Sequence, residues 1–346
     1  MAAANHHLLP HDDQPSNSSC EPLLPKFIEV EENISQECRD IISGLPREEG
    51  WFQNSLYQFK GFWDQAWLIQ GALGFQKHFE ARDDDILLVT TPKSGTTWLK
   101  AILYATLNRS NFPPNSHNHP LLTNSPHMLL PFMEGSHQDN ISRDRIDGMA
   151  SPRLLFTHLP YSSLPESVKH SSCKIVFLCR NPKDNFVSLW HFANKIRPKT
   201  WGTLSLEEAF DKFCRGVSPH GPFWDHVLGY WLESLKRSEK VKFLKYEDLK
   251  DQPVASLKTL AHFIGHSFSQ EEEANGVIDN IVSLCSFENL SNLKVNKDGE
   301  LPFGMAAGAY FRQGQVGDSV NYLSSESLEK IDSIAEQKFG PHGLKF

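Results

Sequence analysis

Four short apolar runs punctuate the chain: ILLVTT at 86–91, RLLFTH at 153–158, CKIVFLC at 173–179 and VKFLKY at 241–246. None shows the strict alternation of a half-exposed strand, and together they are rich in Val, Ile, Leu and Phe. That pattern predicts strands buried on both faces. Between them apolar residues recur at helical spacing: Leu68, Ile69, Leu73 and Phe79 within 66–79, the stretch LKAILYATLN from Leu99, and segments 183–195, 206–216, 222–237, 253–264 and 271–284. A shorter helix is expected around Ile34–Ser43, ended by Gly44 and Pro46. The aromatic stretch WFQNSLYQFKGFW at 51–63 reads as a strand or a lid packed on the core. Buried strands alternating with helices predict an α/β fold, a single domain with a mostly parallel central sheet flanked by helices. No repeat and no Pro/Gly-rich linker divides it, so the domain is taken as 26–346. Residues 1–25 hold four prolines among Ser, Asn and His and read as a flexible tail.

Composition fits a folded chain with a sizeable core: 346 residues, 39% hydrophobic, with 23 Phe and 8 Trp. The formal charge of −8 hides an uneven distribution. Residues 1–50 and 251–346 carry net −7 and −6, residues 51–150 net −1, and residues 151–250 net +6. A basic middle inside an acidic protein suits a small anionic ligand better than a nucleic acid, which calls for a broad basic face. The six cysteines show no CxxC spacing, and Cys173 and Cys179 read as core thiols. There is no leader-like or Arg-rich N-terminus and no apolar run of spanning length. A cytoplasmic protein without membrane contact is therefore expected. His6, His7 and His11 read as part of the tail rather than a metal site. Glu247-Asp248 and Glu271–Glu273 read as acidic first turns of helices, so no metal is expected.

The sharpest signal is PKSGTTW at 92–98, between a predicted strand and a predicted helix. A turn there aims backbone N–H groups and the positive end of the helix dipole at one point, an anion cradle. Gly95 permits close approach, Ser94, Thr96 and Thr97 add hydroxyls, and Lys93 adds charge. The order differs from the GxxxxGK[ST] loop of nucleotide triphosphatases: Lys precedes the single Gly.

TPKSGTTWLK, FTHLP, CRNPKDNFVSLWHF and a C-terminal RxGxxGD element occur in an order that resembles the cytosolic sulfotransferase family. ASPRLLFTHLPYSSLPESV, FCRGVSPHGPFWDHVLGYW and FLKYEDLK resemble its plant branch, which acts on flavonoids, hydroxyjasmonates, brassinosteroids and desulfoglucosinolates. The resemblance implies a sulfotransferase fold related to P-loop nucleotide kinases. It also implies a donor, 3′-phosphoadenosine 5′-phosphosulfate (PAPS), a 3′,5′-adenosine bisphosphate product, a small hydroxylated acceptor and no metal. Carried onto this chain, Lys93, Ser94, Gly95, Thr96, Thr97 and Trp98 would hold the 5′-phosphosulfate and the adenine side. Arg180 and Ser188 would hold the 3′-phosphate, with Arg312, Gln313 and Gly314 as a second clamp. Tyr246, Cys285 and Phe287 would line the adenine. The family also implies that Ser188 engages Lys93 before the acceptor arrives and so restrains wasteful donor hydrolysis.

Sulfuryl transfer needs in-line oxygens, neutralised charge and a proton acceptor. His158 closes a predicted strand and is suited to be the general base, with Lys93 stabilising the leaving oxygen. Arg180 ends the CKIVFLC strand, and Ser188 lies about two turns into the next helix, so both can face one phosphate. Phe59, Phe62, Trp63, Phe132, Tyr161 and Phe192 are candidates for an aromatic acceptor pocket. Two positions depart from the family's RKGxxGDW element: Gln313 stands for Lys and Ser319 for Trp, which predicts weaker 3′-phosphate binding and a looser C-terminal loop. VNYLSSESLEK does not match the animal dimer motif, so a monomer is expected. Two alternatives remain at this level: an ATP-dependent phosphotransferase, and a nucleotide-binding module with impaired catalysis.

Overall fold

The computed structural model describes residues 33–136, 140–301 and 304–346; the tail at 1–25 lies outside them. The four apolar runs form β4 (Ile86–Thr90), β5 (Leu154–Thr157), β6 (Lys174–Cys179) and β7 (Val241–Lys245), preceded by β1 (Arg47–Glu49), β2 (Ser55–Phe59) and β3 (Phe62–Asp64). The strand order β5-β4-β6-β7 is parallel throughout, with Leu88 opposite both Phe156 and Val176 and Phe177 opposite Phe243. The chain is thus a single α/β domain on a parallel sheet.

Successive side chains along a strand point to opposite faces. Leu87, Val89, Leu155, Ile175 and Phe177 enter one apolar cluster, where Phe177 stacks on Tyr230 of the helix Phe223–Lys236 at 4.3 Å. Ile86, Leu88, Phe156, Val176 and Leu178 enter the other, with Leu99 and Leu103 of the helix Thr96–Asn108 and Leu257 and Leu260 of Pro253–Phe263. Two buried faces explain why β4–β6 read as continuous apolar runs. At the N-terminal end of the sheet, Arg153 donates to both carboxylate oxygens of Asp85, at 2.8 and 2.6 Å, with both side chains buried. This buried pair fastens the approach to β5 onto the approach to β4.

The aromatic stretch at 51–63 contributes β2 and β3 of an antiparallel hairpin. Segment 271–284 is not one helix. It splits into Gln270–Ala274, with a Ser269–Glu272 capping box, and Val277–Leu284, because Gly276 between them adopts φ +70. The helices expected at 66–79, 183–195, 206–216, 222–237 and 253–264 run Ala66–His78, Pro182–Ile196, Leu206–Cys214, Phe223–Lys236 and Pro253–Phe263. Cys173 and Cys179 are buried free thiols. Among the described residues no helix is long and apolar enough to cross a membrane.

Candidate active site

Ligands of open parallel sheets gather at the carboxyl ends of the strands. Here each parallel strand runs directly into a residue singled out by sequence: β4 into the loop 91–98, β5 into His158, β6 into Arg180 and β7 into Tyr246. The sheet order therefore sets His158, the loop, Arg180 and Tyr246 side by side along one edge. All of them border one cavity of about 960 Å³.

Gly95 caps the helix Thr96–Asn108 with φ +104, and a Cβ there would lie 2.6 Å from Tyr246 Cδ2, so only glycine fits. The loop is braced from within. Thr90 Oγ1 and Thr96 Oγ1 are 2.6 Å apart, Thr91 Oγ1 and Ser94 Oγ 2.5 Å apart, and Asn185 Nδ2 donates to Pro92 O at 2.7 Å and Ser94 Oγ at 3.1 Å. Ser94 is buried and builds the loop rather than bordering the cavity, whereas Lys93, Gly95, Thr96, Thr97 and Trp98 border it. The Lys93 ammonium rests 4.1 Å from the ring centroid of Phe192 and 5.3 Å from that of Tyr310. Among the described residues no hydrogen bond joins Lys93 to Ser188. Burial, then the neighbouring Arg180, Arg312 and Lys195, pull the Lys93 pKa down to about 7.

Arg180 and Ser188 both border the cavity. The Arg180 guanidinium donates to Gln315 O at 2.5 Å, stands 3.5 Å from Asp184 Oδ2 and lies 4.8 Å from the Tyr246 ring centroid. Arg312 Nη1 meets Asp318 Oδ2 at 2.5 Å. The Nε atoms of both arginines are buried without a protein partner. With its amide turned to satisfy both ends, Gln313 donates to the Asp318 carboxylate oxygens at 2.9 and 3.0 Å. Its side chain is thus engaged by Asp318. Gly314 adopts φ +63, and a Cβ there would lie 2.6 Å from Phe287 Cδ2. Ser319, where a bulky Trp was the family expectation, is buried, and the loop is pinned by backbone bonds instead: Gly317 N and Ser319 N donate to Asp184 at 2.7 and 2.9 Å. Trp98 meets Tyr246 edge to face at 5.6 Å, the Tyr246 hydroxyl donates to Gly314 O at 3.0 Å, and Phe287 lies beside Phe311 at 5.9 Å. Cys285 is buried behind them at the cavity wall, its thiol pushed up by burial.

At the β5 edge, His158 Nδ1 lies 2.7 Å from Thr90 O, an atom that can only accept, so Nδ1 carries the proton and Nε2 keeps its lone pair. The His158 backbone N–H donates to Glu134 Oε1 at 2.8 Å. Burial first, then His220, hold the His158 pKa well below the ordinary imidazole range. His220, whose ring centroid is 4.8 Å away, goes the other way: burial lowers it, but Asp64 Oδ2 at 2.9 Å and Glu134 more than compensate.

Of the aromatic acceptor candidates, Phe132 and Phe192 border the cavity. Phe59, Phe62, Trp63 and Tyr161 do not, a correction to the sequence expectation. Trp63 is in the main core and hydrogen-bonds Gly221 through its backbone, Phe62 leans on His226, Phe59 packs on the Trp67 cluster, and the Tyr161 hydroxyl accepts from Arg237. Phe52, Trp67, Phe156 and Tyr310 line it instead. Sequence reasoning also missed His127, whose Nε2 is 2.8 Å from Thr97 Oγ1 and whose ring lies 4.2 Å from that of Tyr310. His127, Asn185, Glu134 and His220 carry no local motif; each acts across a long stretch of chain. Among the described residues no group of three or more His, Cys, Asp or Glu is placed to hold a metal.

The cavity is lined by two arginines with orphaned Nε atoms, a glycine loop with a buried Lys, and aromatic rings, a lining that suits a nucleotide anionic at two points. The sulfotransferase domain model matches residues 83–343. The chain is 50% identical over 317 residues to cytosolic sulfotransferase 12 of Arabidopsis thaliana, covering 91% of this chain and 96% of that relative. Its fold is similar to the crystal structure of an A. thaliana putative steroid sulphotransferase, at 45% identity and TM-score 0.71 over 91% of this chain and 97% of the other. It is also similar to a mouse sulfotransferase, SULT7A1, solved with PAP, at 27% identity and TM-score 0.65 over 82% and 94%. A strand-end anion cradle, a buried histidine base candidate and a domain match over most of the chain agree: this protein belongs to the sulfotransferase family.

Proposed function

We propose that this chain moves a sulfuryl group from PAPS to a hydroxyl of a small, largely apolar acceptor in the cytosol, with His158 as general base. The observation that carries this reading is the way His158 is held. Its Nδ1–H is committed to Thr90 O at 2.7 Å, and Thr90 Oγ1 is bonded to Thr96 of the phosphate loop at 2.6 Å. One strand end thus fixes both the base and the anion cradle. A neutral imidazole with a free Nε2 at the cavity can take the acceptor proton as the new S–O bond forms.

PAPS supplies an activated sulfate and two anionic anchors when bound. Lys93, with the backbone and hydroxyls of Gly95–Thr97, would neutralise charge gathering on the leaving oxygen. Arg180, Ser188 and the 312–314 loop would hold the 3′-phosphate, and their orphaned guanidinium nitrogens support that role. Trp98, Tyr246 and Phe287 would enclose the base. A cavity walled by Phe52, Trp67, Phe132 and Phe156 favours a flat or apolar hydroxy compound.

Transfer of labelled sulfate from PAPS to a panel of flavonols, simple phenols, steroids and hydroxylated fatty-acid derivatives tests this reading. Labelled product with at least one class is expected. Absence of product across the panel, with binding of ATP–Mg²⁺ in place of 3′,5′-adenosine bisphosphate, would replace it with a phosphotransferase.

A further inference from the structure

Lys100 is the one residue of the phosphate-loop helix whose placement neither helix packing nor the roles above explain. It lies one turn beyond Thr96 and Thr97 and is 1% exposed, yet it borders the cavity. Its ammonium sits 3.7 Å from the ring centroid of Phe156, and that ring lies 4.7 Å from the imidazole of His158. The charge of Lys100 is felt by both His158 and His127. Among the described residues no carboxylate comes within ion-pair distance of it and its ammonium donates no hydrogen bond. Glu134 lends it negative charge beyond ion-pair distance, with Oε1 taken by the His158 backbone and Oε2 buried without a partner. A buried cation without a paired anion is costly unless something bound supplies the counter-charge. Lys100 faces the cavity, where a bound group could supply that counter-charge.

We propose that Lys100 is a catalytic residue on the acceptor side, whose ammonium donates a hydrogen bond to the acceptor oxygen as negative charge develops there. This rests on the sulfuryl-transfer reading above. The acceptor proton passes to His158 Nε2, the acceptor oxygen bonds to sulfur, and the bridging S–O bond to the nucleotide breaks with its electrons on the phosphate oxygen beside Lys93. Lys100 keeps its own proton throughout and stabilises the oxygen that is losing one. Burial lowers the Lys100 pKa to about 7, with Glu134 opposing, and an anionic oxygen beside it would favour the charged form. Lys93 and Lys100 then divide the work: one serves the leaving oxygen, the other the attacking one.

The sharpest test is a series of phenols of graded acidity, with wild type, Lys100→Met and Lys100→Arg compared on kcat and on the affinity for 3′,5′-adenosine bisphosphate. Met keeps the length and apolar stem of Lys and should leave nucleotide affinity within about twofold. The expected result for Lys100→Met is a loss of kcat of about 100-fold or more with weakly acidic phenols that shrinks steadily as acceptor pKa falls, with part of the loss restored by Arg. A loss equal for all phenols, or kcat within twofold of wild type, overturns the assignment. If Lys100→Met does not fold, Lys100→Gln decides: a kcat loss that grows as the acceptor becomes less acidic supports the role, and a loss equal for all phenols, or none, counts against it. A wild-type protein that transfers sulfate to no acceptor would instead refute the underlying reading.

Discussion

Asp184 accepts a hydrogen bond from the backbone N–H of Ser319 at 2.9 Å, joining the helix after β6 to the C-terminal loop. The same carboxylate takes Gly317 N at 2.7 Å and stands 3.5 Å from Arg180, so one buried anion sets both halves of the proposed 3′-phosphate clamp. Replacing it by Ala leaves the buried Ser319 N–H unpaired, at about 1–3 kcal/mol, and frees the more exposed Gly317 N–H and the Arg180 side chain. Asp184→Ala is therefore expected to weaken 3′,5′-adenosine bisphosphate binding by about tenfold or more in calorimetry. Unchanged affinity would mean that the loop finds its place without this tether.

The low pKa of Lys93, about 7, gives donor binding a direction with pH. Above that value the free protein has lost the Lys93 proton, while a bound nucleotide carrying two phosphate groups favours the charged ammonium. Binding must then take up a proton, and affinity must fall as pH rises from 7, by up to about tenfold per unit. Titration calorimetry at pH 8 in two buffers of different ionisation heat measures this uptake. Net uptake approaching one proton, abolished in Lys93→Met, is the expected outcome; equal proton uptake in both proteins would place the titrating group elsewhere.

Gln313 brings no charge to the clamp, and its amide is held by the Asp318 carboxylate that also pairs with Arg312. Lysine at this position adds a cation at the cavity rim, where such charges contribute about 0.2–1 kcal/mol. Gln313→Lys should tighten nucleotide binding by about two- to fivefold. An unaltered dissociation constant would show that the Asp318 contact absorbs the new charge.

Far from the cavity, the Arg153–Asp85 pair is nearly inaccessible to solvent, at 1% and 2% side-chain exposure. Removing Asp85 leaves the buried Arg153 charge with a longer contact to the exposed Asp147 carboxylate at 3.6 Å and a bond to Glu80 O, a loss approaching the about 3–5 kcal/mol of a broken buried pair. Asp85→Ala should lose about that much in urea unfolding, and an apolar replacement of both residues should recover most of it. A loss below about 1 kcal/mol for the single variant would show that water reaches the guanidinium.

Strands β4, β5 and β6 were legible because burial on both faces left long apolar runs, and the loop 92–98 because its chemistry is contiguous in sequence. With strands and their order along the chain in hand, His158, Arg180 and Tyr246 fall at strand ends, where parallel sheets collect ligands. What escaped depends on distant apposition. Asn185 braces Pro92 across 93 residues, and Asp184 meets Ser319 across 135. The His220–Asp64 contact and the seat of Lys100 on Phe156 arise only when separate elements pack. Phe59, Phe62, Trp63 and Tyr161 were misplaced for a related reason: an aromatic composition does not say which side of a hairpin or turn faces a cavity. The break at Gly276 was hidden by apolar spacing that continues past a residue in left-handed geometry.

The account stands most directly on His158 as the base, and the pH dependence of single-turnover sulfate transfer measures it. With donor prebound, wild type is expected to stay active well below the ordinary imidazole pKa, because burial and then the neighbouring His220 keep His158 neutral there. His158→Ala should lose transfer by about 100-fold or more, within the range of general base catalysis, while binding 3′,5′-adenosine bisphosphate as tightly as wild type. Transfer by His158→Ala at the wild-type rate, with the same pH profile, would contradict the account.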